Sequence, residues 1–201
     1  MSIIRWINYH RRKFPIATIL ALALFAITLG LQQCERNDAY DKGIDNIERA
    51  IDSERYQYAI DECNTVEKIP NLTNKHYWYV KSQKGYCYYQ LIIVGDNNNK
   101  KYLIHGAKDS YTQALSKLNS SDSQGYSVTL YNLGCVYYEL SDIEDRMTNL
   151  SHACDYFTKN YAIDTPENKV LRNKSFIFIN YIEKILQEEV DINNLKIDIV
   201  R

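Results

Sequence analysis

Between Phe14 and Leu31 the chain runs for 18 residues without a charge. A helix of that length extends about 27 Å, close to the hydrocarbon thickness of a bilayer. In lipid a lone segment can satisfy its backbone only as a helix, so residues 14–33 read as a transmembrane helix that meets the bilayer through 14–31. Trp6 and Tyr9 lie just before it, where amphipathic rings favour the interface. Pro15 falls at the start, where a missing N–H matters little. Arg5, Arg11, Arg12 and Lys13 precede the run with no acid among them, and Glu35, Arg36, Asp38, Asp41 and Lys42 come after it with a net negative charge. The positive-inside bias then predicts a single-pass signal anchor. Residues 1–13 form a cytoplasmic basic N-terminus, and the domain stands on the outer, periplasmic or extracytoplasmic, side. Three other fates stay open. Secretory cleavage wants small residues where Gly30-Leu31-Gln32-Gln33 stand. Lipidation of Cys34 is disfavoured by the same two glutamines, and Arg11-Arg12-Lys13-Phe14 loosely matches a twin-arginine signal.

The chain beyond the anchor is long enough for one domain with a real core. The whole chain carries −1, and the +4 before the anchor leaves about −5 for the remainder. A mildly acidic domain lacks the basic footprint of nucleic-acid binding. Seven Gly and three Pro disfavour a turn-rich β design. Cys63, Cys87, Cys135 and Cys154 show no CxxC and no tight Cys/His spacing, so no zinc or other metal site is expected. In an oxidising compartment these four allow three pairings, and spacing does not choose among them. His10, His76, His105 and His152 stand in no HExxH, and neither GxSxG nor GxxxxGK[ST] occurs. His152 lies two residues from Cys154, and i and i+2 on a helix point apart, so no Cys–His dyad forms locally. No catalytic residue and no cofactor is therefore expected. The sequons at Asn71, Asn119, Asn149 and Asn173 are near chance in an Asn-rich chain.

Apolar residues at 3–4 spacing predict an all-α domain with helices over 40–53, 55–68, 73–94, 101–118, 124–140, 143–163 and 166–190. Pro70 stops the second, Ser120-Ser121-Asp122-Ser123 supplies a loop and a cap, and Thr165-Pro166-Glu167 reads as an N-cap followed by Pro at the first helical position. Two segments repeat. Gly85-Tyr86-Cys87-Tyr88-Tyr89-Gln90-Leu91 aligns with Gly134-Cys135-Val136-Tyr137-Tyr138-Glu139-Leu140, and Ala107-Lys108-Asp109-Ser110-Tyr111-Thr112 with Ala153-Cys154-Asp155-Tyr156-Phe157-Thr158. The offsets are 49 and 46 residues.

These residues resemble the tetratricopeptide repeat family. Leu130, Leu133, Gly134 and Tyr137 fit the first helix of a repeat, and Ala153, Phe157 and Pro166 its second helix and close. Gly85, Tyr88, Ala107, Tyr111 and Ala114 make a weaker copy, and Ala59, Cys63 and Pro70 a degenerate one. The period exceeds the family's 34 residues or so, and Lys81 and Lys84 stand where the second copy should be apolar. The resemblance implies a short α-solenoid of about three degenerate hairpins over 38–165, a capping helix over 166–190 and a tail over 191–201.

In that family the first helix of each hairpin lines a concave groove. Helical spacing from Gly85 and Gly134 then puts Tyr79, Ser82, Tyr86 and Tyr89 on the groove face of one hairpin, and Val128, Tyr131, Cys135 and Tyr138 on that of the next. Tyrosine joins a large, stiff apolar body to a polar tip, which suits recognition; with 18 in the chain, composition alone also explains some of it. The expected function is a membrane-anchored adaptor or scaffold that holds a peptide or helix of a protein partner in this groove, in envelope assembly or secretion. The alternative is a membrane effector or sensor whose domain binds a ligand or oligomerises and acts through the anchor. Reversed topology, with a cytosolic domain receiving other proteins, and homo-oligomerisation also stay open.

Overall fold

The computed structural model describes residues 16–95, 99–118 and 122–199, and the side chains of 22–95, 99–118, 122 and 124–188. The described residues form seven α-helices, one 3-10 turn and no strand. In chain order they are α1 (Ile16–Asp52), α2 (Tyr56–Val66), α3 (Asn74–Ile93), α4 (Lys100–Leu115), α5 (Ser123–Leu140), α6 (Arg146–Tyr161), the 3-10 turn Pro166–Asn168 and α7 (Lys169–Ile199). The fold is therefore all-α. The chain divides into two units, 1–42 and 43–201.

In the first unit every described side chain from Leu22 to Glu35 is exposed. Thr28 donates its hydroxyl to the carbonyls of Leu24 and Phe25, at 2.9 and 2.8 Å, and so satisfies itself within the helix. Residues 1–15, which include the expected basic N-terminus, lie outside the described residues, as do the side chains of 16–21. Among the described residues no helix is long and apolar enough to cross a membrane.

The second unit is built by helices that pack on their chain neighbours: α2 on α3, α3 on α4, α4 on α5, α5 on α6 and α6 on α7. Its core keeps the same order. Ala50, Tyr56, Ala59, Ile60 and Cys87 form one cluster. Ile104, Ala107, Tyr111, Leu133, Val136 and Leu140 form the next. Leu150, Ala153, Phe157 and Ile182 form the last. Each is assembled from helices adjacent in sequence.

Local chemistry sets the helix ends. Thr73 caps α3 by accepting from the His76 amide at 3.1 Å, and Asp145 caps α6 by accepting from the amide and hydroxyl of Thr148. That cap places the start of α6 at Arg146 rather than 143. The expected start at Thr165-Pro166-Glu167 is a 3-10 turn, and the Thr165 hydroxyl is buried without a hydrogen-bond partner instead of capping it. Asn168 tightens this corner by donating to the carbonyls of Asn160 and Ile163, both at 2.9 Å. Buried Asn160 donates to the Ser127 carbonyl and accepts from the Ser175 hydroxyl at 2.9 Å, which ties α5, α6 and α7 together. α7 continues to Ile199, past the expected end at 190.

The two misplaced lysines have a direct explanation. Lys81 is buried, and its ammonium stands 2.7 Å from Glu67 on the loop side of α2. Lys84 reaches the same carboxylate at 3.1 Å and the Asn64 side chain at 2.6 Å. A buried cation is tolerated when paired and hydrogen-bonded, and one glutamate serves both.

Candidate functional site

α3 and α5 carry the expected groove residues, and burial differs sharply along them. Tyr86 and Val128 are exposed, at 38% and 37%, whereas Tyr79, Ser82, Tyr89, Tyr131, Cys135 and Tyr138 are half-buried. On α3, Tyr79 donates its hydroxyl to Glu48 of α1 at 2.6 Å. The Tyr86 ring meets Tyr56 of α2 edge-on, centroids 6.4 Å apart. The Ser82 hydroxyl is buried and has no hydrogen-bond partner. Tyr89 packs on the cluster shared by α4 and α5.

The α5 half is partly roofed by α7. Tyr131 meets Phe157 and Phe178 edge-on, at 5.6 and 6.4 Å, and Tyr138 meets Phe178 at 5.7 Å. Phe178 in turn stacks flat on Phe157 at 4.7 Å. Tyr181 stands 6.4 Å from Tyr138 and is itself exposed. Such pairs contribute about 0.5–1.5 kcal/mol each beyond their buried area, so Tyr131 and Tyr138 are committed largely to holding α7.

The face is electrically quiet. Burial, followed by the neighbouring Cys135, raises the Tyr89 and Tyr131 phenols above their ordinary range. Burial and a hydrogen bond with Tyr181 do the same for Tyr138. All three are neutral donors at physiological pH. Burial also pushes the Cys135 thiol up to about 11, against opposing contributions from Tyr131 and Lys174, which makes it a poor nucleophile. Neutral hydroxyls on stiff rings bind by shape and hydrogen bonding. Among the described residues no group of three His, Cys, Asp or Glu is placed to hold a metal ion.

Spacing within α3 and α5 could not reveal the contributions of Glu48, Phe178 and Tyr181, which come from other helices. A signal for α7 did exist in its sequence. Phe178, Ile179, Ile182, Ile185 and Leu186 turn inward, while Val170, Ile177 and Tyr181 remain exposed. The apolar residues of α7 thus occupy two faces, one more than a terminal helix needs.

Clefts formed by other described residues lie elsewhere. One of about 530 Å³ is lined by Lys75, Trp78, Lys117 and Gly125. Another, of about 480 Å³, is lined by Asp164, Lys169 and Arg172, and the Arg172 guanidinium there is already held by Asp164 and the Tyr161 ring. No protein-family model, no curated protein and no solved structure matches the chain.

Proposed function

We propose that this chain is a membrane-anchored helical-repeat adaptor, and that the tyrosine-bearing face of α3 and α5 receives a peptide or helix of a protein partner. One observation carries the reading. Tyr86 and Val128 stay exposed on helices whose other groove positions are half-buried, so the face offers open apolar contact points on a supported floor. Interfaces place their energy in a few such aromatic anchors.

Three features support the stacked-hairpin part. Packing runs mainly between chain neighbours, as a solenoid requires, with α7 also reaching back to α5. Gly85 lies under the Tyr111 ring and Gly134 under the Phe157 ring, the same small-under-large contact at both copies of the repeat. Ala107 and Ala153, aligned in the second helices, are both fully buried. For the anchor, the support is the uncharged run Phe14–Leu31. Its described part exposes Leu22, Leu24, Phe25, Ile27, Leu29 and Leu31, a surface better suited to lipid than to water.

A photo-crosslinking amino acid at position 86 or 128, in membranes of the native host, tests the face. Adducts with a common partner are expected at both positions and not at Tyr58, an exposed residue of α2. Equal labelling from position 58, or no adduct at 86 and 128, removes the reading.

A further inference from the structure

Among the four domain cysteines, the fold brings one pair onto facing helices. α2 buries Tyr56, Ala59, Ile60, Cys63 and Val66 on a single strip. Against that strip runs α3. Its position is fixed by Lys84, 2.6 Å from Asn64 and 3.1 Å from Glu67, and by Lys81, 2.7 Å from Glu67. Residues 64 and 67 thus face 84 and 81, and the two helices run antiparallel. One turn further along α3, Cys87 belongs to the same core cluster as Ala59 and Ile60. Cys63 lies between these two sets of contacts. Both cysteines have zero exposed surface.

The other two thiols face elsewhere. Cys135 neighbours Tyr131 on its own helix and Lys174 on α7, while Cys154 neighbours Thr158 and Glu183. Cys34 is exposed in the first unit.

We infer that Cys63 and Cys87, both free thiols in this structure, close into a disulfide that staples α2 to α3 when the chain folds under oxidising conditions. The chemistry is ordinary thiol–disulfide exchange. The thiolate of one cysteine attacks a sulfur of an external disulfide, such as oxidised glutathione or an oxidoreductase, and releases one thiol. The thiolate of the second attacks the mixed disulfide, forms the Cys63–Cys87 bond and releases the other thiol. Two electrons and two protons leave the pair, and the external disulfide becomes two thiols. Once the chain is folded, burial raises both thiols, Cys87 up to about 12, and the facing Cys87 adds to the rise at Cys63. Little thiolate is then present to react, so closure belongs to the folding step.

The pairing is tested on the full chain in a Cys34→Ser background, refolded in detergent with a glutathione redox buffer and alkylated after unfolding. The oxidised sample should take up two alkyl groups and the reduced sample four, with linked peptides joining Cys63 to Cys87. Cys87→Ala should restore alkylation at Cys63 while the helical circular dichroism signal stays intact. Four alkyl groups in the oxidised sample, or a bond from Cys63 or Cys87 to Cys135 or Cys154, overturns the inference. Formation in cells rests in addition on the proposed placement outside the cytoplasm. Chain trapped in acid from its own membrane separates the two: thiols there, alongside pairing in the buffer, count against the placement and leave the pairing intact.

Discussion

At Gly134 a Cβ would come within 2.7 Å of the Phe157 ring. A mid-helix Gly→Ala change ordinarily gains about 1 kcal/mol from propensity. Here the neighbour decides the sign. Phe157 is fully buried and stacked flat on Phe178, so its ring has nowhere to go. Gly134→Ala should therefore destabilise the domain by about 1–3 kcal/mol, the usual range for overpacking, read from urea unfolding monitored by circular dichroism; a gain in stability would contradict the contact. The sequence exposed this position through its repeat, since Gly85 and Gly134 align without knowledge of any contact. It did not expose the solution for Lys81 and Lys84. Their partner Glu67 lies at the end of the preceding helix, and a pairing across helices leaves no mark in the spacing of either one.

At the scale of elements, periodicity located α2 to α7, whereas the expected helix over 40–53 is the end of the continuous α1. Side-chain caps fix the starts of α3 and α6, and the expected cap at the start of α5 is not made. Two discrepancies arise where a side chain reaches across a turn. Asp145 delays α6, and Asn168 turns the start of α7 into a 3-10 corner. Another such link joins α4 to the turn before α6, where Glu144 stands 2.9 Å from His105 and 3.0 Å from Lys101. The hydrogen bonds from His105 and then Lys101 hold the Glu144 carboxyl below its usual value. A depressed carboxyl adds stability above its unfolded value of about 4.3 and loses it as pH falls through the folded one. Glu144→Gln should then be less stable than the parent at neutral pH, with the gap closing below about pH 4. Paired urea titrations at neutral pH and in acid, about one unit below the ordinary carboxylate value, measure it, and a gap that widens in acid would exclude this origin. The candidate face divides in the same way. Its residues on α3 and α5 came from spacing, whereas its roof of Phe178 and Tyr181 required the packing of α7.

For the helical unit as a whole, a core assembled cluster by cluster makes a claim about cooperativity. A single shared core fails as one body. Neighbour-coupled helices weaken locally, because each unit's stability is its own plus that of its interfaces. Ile182 separates the two cases. It is fully buried and belongs only to the last cluster, with Leu150, Ala153 and Phe157. Ile182→Ala should cost about 2–5 kcal/mol where it acts. In a stack that loss emerges as faster amide exchange in α6, α7 and the flank of α5, while α2 and the part of α3 against it keep their protection. The tyrosine face would split accordingly: Tyr131 and Tyr138 lose their roof, and Tyr86, held from the side of α2 by Tyr56, stays ordered. Hydrogen exchange read by mass spectrometry resolves these segments. Uniform loss of protection from α2 to α7 would show one indivisible core, and the stacked-hairpin reading, with the groove it implies, would then have to be abandoned.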